Sequence, residues 1–302
     1  MNGDAPAKNR KFTPGELLHG YRLRAVLGDG AFSRVYLAED PKTHIAYALK
    51  HVVSTGEKED RWVDQMRAEW EIGRKLDHPA LRKIVDCKHE GWFLKNSRDV
   101  ALVLELIDAE PLSDQNRPTM GECIRIFRDV AAALCHMHEK GFVHTDMKPL
   151  NILYTDDRRT KVIDLGQAAK VGTAKERIQG TPGYMAPEQA ARQPLDPQTD
   201  VFNFAATMYS VLLGHRMIGG SRVHLFAPQT AFRTNEAAAR VDEARLGPAE
   251  PIHRVDPQIP EQLSMLLLDC LEANPNKRKK MTWVLKVLQG LQGQPAQSAV
   301  GV

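Results

Sequence analysis

Cysteine is scarce in this sequence and carries no pattern. There are four, Cys87, Cys123, Cys135 and Cys270, and no two stand in C-x-x-C spacing. That reads as reduced core thiols in a cytosolic protein. A charge excess is also missing. Lys and Arg number 41 against 38 Asp and Glu, a net +3. So weak a field gives no reason to expect nucleic acid or a membrane surface as partner. Long apolar runs are absent as well. The most apolar segment, "VFNFAATMYSVLLG" (201–214), is too short and interrupted to span a bilayer. It is apolar on nearly every helical face, which predicts a helix buried in a large core. The first residues, "MNGDAPAKNRKF", lack the apolar stretch of a secretory signal. No internal repeat is visible. Both ends, 1–11 and 292–302, are small, polar and rich in Gly, Pro and Gln, and are expected to be disordered tails.

What is present is an ordinary globular chain, 42% hydrophobic and 26% charged over 302 residues, long enough for two lobes. From Tyr21 it reads as β. "YRLRAVLGDG" and "FSRVYLAED" flank a glycine turn, and "AYALKHVV" follows as a strand. "DRWVDQMRAEWEIGRKL" has helical spacing, and "GWFLKNSRDVALVLELI" reads as two further strands. After the turn-rich "DAEPLSDQNRPT", helices dominate. In "MGECIRIFRDVAAALCHMHEK" the stripe is Cys123, Ile124, Phe127, Ala131, Leu134 and Cys135. The expected order is a small β-rich region (12–107), a hinge, then a larger α-rich region (108–291). Ligands often sit at such junctions.

Several segments are too polar or too glycine-rich for their surroundings. "LGDGAFSRVYLA" has Gly28-x-Gly30 between two strands, where backbone N–H groups can approach phosphate oxygens. Ser33 stands where a third glycine would complete G-x-G-x-x-G, so a plain glycine hairpin explains it as well. Lys50 ends the apolar "YALK" and, taken alone, reads as a snorkelling surface lysine. Glu69 and Glu71 follow on one helix but on different faces, so only one can meet it. "HTDMKPLNIL" places His144, Asp146, Lys148 and Asn151 beside apolar "GFV" and "ILY". Buried ionisable groups cost several kcal/mol unless paired. Thirteen residues past Asn151 comes Asp164 in "VIDLG". Asn151 and Asp164 are hard oxygen donors that suit Mg²⁺. Asp146 could take a proton from a hydroxyl, and Lys148 could neutralise charge on a transferring group. "GTPGYMAPEQ" follows, with Arg278 a candidate partner for Glu188. A metal site from Cys135, His136, His138 and His144 is the weaker reading, because His136 and His138 lie on different helix faces.

In this order the segments resemble the protein-kinase signature set, from Tyr21 to Leu291. The resemblance implies an α+β fold of two lobes, a small β-rich N-lobe with one main helix and a larger α-helical C-lobe. It implies an ATP-dependent serine/threonine protein kinase acting with Mg²⁺ or Mn²⁺. Gly28 and Gly30 would cover the phosphates and Lys50 would hold two of them. Val35, Ala48, Leu104, Glu105, Ile107 and Leu153 would border the nucleotide, Leu104 as gatekeeper and Glu105 to Ile107 as hinge. Glu69 is the implied partner of Lys50, in a pair expected near the surface and so worth little in stability. Asp146 would be the catalytic base, Lys148 its phosphate-facing neighbour, and Asn151 with Asp164 would hold the metal. Glu188 with Arg278, and Asp200, would be structural supports. His144 would pack under the Asp164 turn. Thr181 would bond near Asp146 and Lys148.

The departures from the family pattern are specific. Thr145 replaces the Arg of H-R-D, which in the family receives an activation-loop phosphate. Leu165 replaces the Phe of D-F-G. Leu150 stands where kinases preferring basic substrates have Glu. Gly73 stands where an apolar side chain usually is, so the Glu69 helix is expected to be loosely held, with a dimer or regulatory partner setting it. Thr173 is the best-placed phosphorylation candidate, beside Lys170, Lys175 and Arg177. The implied partners are protein substrates and the implied location is cytoplasmic. The competing readings are a nucleotide-binding pseudokinase scaffold and a small-molecule phosphotransferase. The latter class shares the H-x-D…N…D core but lacks a "GTPGYMAPE" platform.

Overall fold

The structure, a computed structural model, describes residues 13–30, 32–54, 56–90, 98–113, 116–213 and 250–292. The expected tails lie outside these residues apart from Gln292, which closes the last helix. The chain divides into two compact units, Met1–Asp108 with Asp164–Ala168, and Ala109–Ile163 with Ala169–Val302.

The first unit is β-rich with one main helix. Strands β1 (Leu17–Leu18), β2 (Tyr21–Asp29), β3 (Arg34–Glu39) and β4 (Ala46–Val53) precede helix α1 (Glu57–Gly73), and β5 (Ile84–His89) and β6 (Asp99–Glu105) follow it. They form one antiparallel sheet in the order β1-β2-β3-β4-β6-β5. Adjacent residues of β4 and β6 are buried, so both faces of these strands are covered and their sequences are nearly continuous apolar runs. On one face Leu18, Leu23, Tyr36, Leu49, Ala101 and Val103 form a core. Helix α1 packs against β4, β5 and β6.

"GWFL", expected as a strand, lies outside the described residues, and a strand that was not expected is β5, Ile84–His89. Its sequence, IVDCKH, is half polar and gives little β signal, and pairing along β6 fixes it instead. Helix α1 is also not loosely held at Gly73. A Cβ on Gly73 would overlap Cδ1 and Cγ1 of Ile84, so that side chain already fills the place. Glycine at 73 is what lets the end of α1 approach β5 so closely.

The second unit is mainly helical. α2 (Met120–Glu139) starts at a capping box in which Thr119 and Glu122 satisfy each other's backbone N–H groups. Its predicted stripe is buried throughout. The short strands β7 (Phe142–Val143), β8 (Ile152–Tyr154), β9 (Thr160–Val162) and β10 (Ala169–Lys170) form two ladders, β7 with β10 and β8 with β9. They are followed by α3 (Pro187–Ala190), α4 (Pro197–Leu213), α5 (Ile252–Val255), α6 (Glu261–Cys270) and α7 (Met281–Gln292). α4 is the helix expected from "VFNFAATMYSVLL", and it is buried on nearly every face. α2 packs on α4 and α7. Arg278 is 5% exposed and bonds both carboxylate oxygens of Glu188, at 2.6 and 2.9 Å. A buried bidentate pair of this kind fixes orientation as well as charge.

All four cysteines are free thiols. Burial pushes the thiols of Cys87, Cys123 and Cys270 up to about 12 and that of Cys135 to about 11, which leaves them inert at neutral pH. Among the described residues no helix is long and apolar enough to cross a membrane.

Candidate active site

The candidate residues fall into two clusters, one in each unit. In the first, β4 carries Lys50 and α1 carries Glu69. Lys50 Nζ donates to Glu69 Oε2 at 2.7 Å and to Asp164 Oδ1 at 2.9 Å. The two carboxylates outweigh the burial that opposes charge, and hold the ammonium well above its ordinary pKa. Glu69 is 3% exposed, and burial pushes its carboxyl up against the pull of Lys50. The expectation of a pair near the surface is therefore overturned. Glu71 pairs instead with Arg74, both half exposed. Glu69 alone lies on the face of α1 that packs on the sheet.

Asp164 sits at a φ of 65°, a left-handed backbone that non-glycine residues rarely adopt. Gly166 beside it is closely surrounded by side-chain ends. A Cβ there would come within 2.8 Å of Gln65 Nε2 and 3.1 Å of Asp164 Oδ1. Leu165, in place of the Phe, is buried. The glycine strand-turn is less demanding. Gly30 N–H donates to Ser33 O at 2.9 Å, and a Cβ on Gly30 would crowd that carbonyl. A Cβ on Gly28 would meet nothing within 4 Å. Val35 lies opposite Lys50, and Ala48 opposite Leu104, in the sheet register. Ala48 and Leu104 are buried, whereas Glu105 and Ile107 are half-buried.

In the second unit, the loop from His144 to Asn151 hangs between β7 and β8. Asp200, fully buried on α4, fixes its start by accepting the N–H of His144 at 2.9 Å and of Thr145 at 2.7 Å. Burial alone would raise that carboxyl, but the bond from His138 and these N–H groups hold it below the usual range. Thr145 has a φ of 65°. Strain at such a loop persists only when surroundings over-determine it, and Gln189 Nε2 adds a bond to Thr145 O at 2.7 Å. Asp146 is 7% exposed. Lys148 Nζ donates to Asp146 Oδ2 at 2.9 Å and to Thr181 Oγ1 at 2.9 Å, and Thr181 Oγ1 donates to Asp146 Oδ1 at 2.7 Å. Asn151 Nδ2 donates to the Asp146 carbonyl at 2.8 Å, which commits the amide nitrogen inward and leaves Oδ1 as the donor atom for a cation. Leu153 is buried on β8, and Leu150 is 60% exposed. His144 is fully buried.

Some partners were not legible from sequence. Arg82 Nε donates to the carbonyl of Glu105 at 2.9 Å, and Lys83 N–H donates to Glu105 Oε2 at 3.1 Å. Phe32, at the tip of the glycine turn, stacks on Trp62 of α1 with ring centroids 3.6 Å apart. His19 and His51 both meet Asp99. No motif flags any of these.

With the geometry in hand, similarity to known proteins is informative. The family model described as "Protein kinase domain" matches residues 21–288. Serine/threonine-protein kinase PknB of Mycolicibacterium smegmatis is 28% identical over 277 residues, covering 88% of this chain and 42% of that protein. Serine/threonine-protein kinase PknA of Mycobacterium tuberculosis is 29% identical over 208 residues, covering 66% of this chain and 48% of that protein. PknB of Mycobacterium tuberculosis is 29% identical over 213 residues, 67% of this chain and 34% of its own length. The chain thus spans less than half the length of these curated relatives.

Proposed function

This chain belongs to the protein kinase family, and on that premise we propose that it transfers the γ-phosphoryl group of ATP to a serine or threonine hydroxyl of a protein. The observation that carries this reading is the Asp146–Lys148–Thr181 triangle. Phosphoryl transfer needs little covalent help from the enzyme and much positioning and charge stabilisation. Asp146 is held from both sides, so its carboxylate is aimed before any substrate arrives. In that role it accepts the proton of the attacking hydroxyl. Lys148 brings a positive charge next to the same carboxylate, where a transferring phosphoryl group would need it. Thr181 and the "GTPGYMAPE" platform support a peptide rather than a small molecule as acceptor. The relatives' names are consistent with serine or threonine as the target.

The residues present fit a magnesium nucleotide. Asn151 offers an amide oxygen and Asp164 a carboxylate that is 42% exposed, both hard donors. When bound, Mg²⁺ or Mn²⁺ supplies charge neutralisation on the phosphates. Lys50, kept charged by Glu69 and Asp164, would hold phosphate oxygens. Gly28 faces no protein atom that forbids a side chain, so its close backbone approach would serve a ligand rather than packing. Val35, Ala48, Leu104, Glu105, Ile107 and Leu153 would border the base. Protein substrates are the partners proposed. The reason for a partner at the Glu69 helix, a loosely held α1, is removed by Ile84. Four free thiols support a reducing, cytoplasmic setting.

The test is incubation with labelled ATP and Mg²⁺, with and without a generic protein substrate, followed by mapping of the modified residues. Phosphoserine or phosphothreonine on either protein supports the reading. Nucleotide binding without transfer would favour a pseudokinase scaffold. Transfer only to small hydroxylated molecules would favour a small-molecule phosphotransferase.

A further inference from the structure

Three side chains far apart in sequence converge on one point in the first unit. His19, in the turn between β1 and β2, places Nε2 2.7 Å from Asp99 Oδ1. His51, on β4, places Nε2 2.8 Å from the same oxygen. All three ligand-type atoms lie within 4.8 Å of one another. Among the described residues this is the one group of three or more His, Cys, Asp or Glu side chains arranged closely enough to share a cation. None of the three takes part in the chemistry proposed above.

The convergence carries two structural costs. His19 adopts a φ of 49°, a left-handed backbone unusual for a residue with a Cβ. His51 is 1% exposed, and its Nδ1 has no hydrogen-bond partner. A buried ring nitrogen in that state costs about 1–3 kcal/mol, which the contact made by Nε2 at the cluster has to offset. A simple hydrogen-bonded clip would need neither a second histidine nor the same acceptor atom for both rings. The one charged side chain directly opposite His51 in the sheet register is Arg34, whose guanidinium is turned to Asp29 at 2.8 Å.

We infer that His19, His51 and Asp99 form a binding site for one divalent transition-metal ion of the zinc class. Two imidazole nitrogens and one carboxylate oxygen are borderline donors that suit Zn²⁺ or Co²⁺. They do not suit Mg²⁺, which takes oxygen ligands in an octahedron. At zinc–ligand distances of about 2.0–2.1 Å, tetrahedral ligands stand about 3.3 Å apart. The two nitrogens must therefore withdraw from Asp99 Oδ1 by about half an ångström, a small side-chain adjustment. Water completes the fourth position, and the partial exposure of Asp99 and His19, at 17% and 9%, gives a route in. The ion would staple the β1–β2 turn to β4 and β6, next in sequence to Lys50. Its role is structural.

The test uses the full chain, freed of metal by chelation and kept in excess Mg²⁺ so that hard oxygen donors are occupied. Zn²⁺ is titrated calorimetrically, and Co²⁺ is followed by its visible absorption. One equivalent of Zn²⁺ should bind and raise the melting temperature. The Co²⁺ spectrum should be that of a tetrahedral nitrogen–oxygen site without a thiolate charge-transfer band. His19→Asn keeps a residue that tolerates left-handed backbone, and Asp99→Asn keeps shape. Each should weaken Zn²⁺ binding by at least about tenfold. Wild-type protein that binds no Zn²⁺ would overturn the inference and leave a hydrogen-bonded clip. So would equal binding by His19→Asn, or a thiolate band in the wild-type spectrum. The wild-type titration and spectrum decide the matter even if a variant fails to fold.

Discussion

Thr181 Oγ1 donates to Asp146 Oδ1 at 2.7 Å while accepting from Lys148 Nζ at 2.9 Å. One hydroxyl therefore orients both charged groups of the loop. Thr181→Ala should lower phosphoryl transfer by more than about tenfold, over roughly 1.4 kcal/mol, and Thr181→Ser should restore most of it. Thr173 has no such place. Its backbone joins Lys170 and Leu195, and Thr145 carries no charge to receive a phosphate from it. Thr173→Ala should stay within about tenfold of wild type. The check is a comparison of the three variants, after phosphatase treatment, on one peptide. An inactive Thr173→Ala rescued by an acidic residue would show that another cation, such as Lys175 beside Thr145, has taken the arginine's role.

Lys50→Met should cost stability as well as activity, because Glu69 is left buried without its cation. Breaking one partner of a buried pair typically costs about 3–5 kcal/mol. The double variant Lys50→Met/Glu69→Gln should recover most of the melting temperature and none of the activity. Thermal melts of the two variants check this. A Lys50→Met protein as stable as wild type would mean that the pair is not desolvated.

Gly73 should resist any side chain. Gly73→Ala should destabilise the protein by about 1–3 kcal/mol, the usual cost of overpacking. Adding Ile84→Ala should recover part of that loss, since the two sites share one space. Chemical denaturation of the single and double variants gives the coupling. Strict additivity would indicate that Ile84 is not what requires the glycine.

The sequence was legible where function is written in short local runs. "HTDMKPLNIL", "VIDLG" and "GTPGYMAPEQ" each fix several neighbouring side chains, and the loop they predict has Asp146, Lys148 and Thr181 in mutual contact. The helix stripe of α2 and the buried α4 follow from apolar periodicity. Contacts that depend on packing between distant elements were not legible. The burial of the Lys50–Glu69 pair depends on how closely α1 approaches the sheet. Ile84 fills the place beside Gly73 only because β5 pairs where it does, and IVDCKH does not announce that strand. His19, His51 and Asp99 meet across separations of 48 and 80 residues, and none of them sits in a motif.

The central claim is that Asp146 is the proton acceptor in phosphoryl transfer. Asp146→Asn keeps the size of the side chain and one accepting oxygen but removes the base. The decisive measurement is single-turnover transfer from labelled ATP, alongside Mg-ATP affinity by calorimetry, for wild type and this variant. The account predicts a rate lower by about 10²–10⁴ with affinity nearly unchanged. An unchanged transfer rate would contradict it.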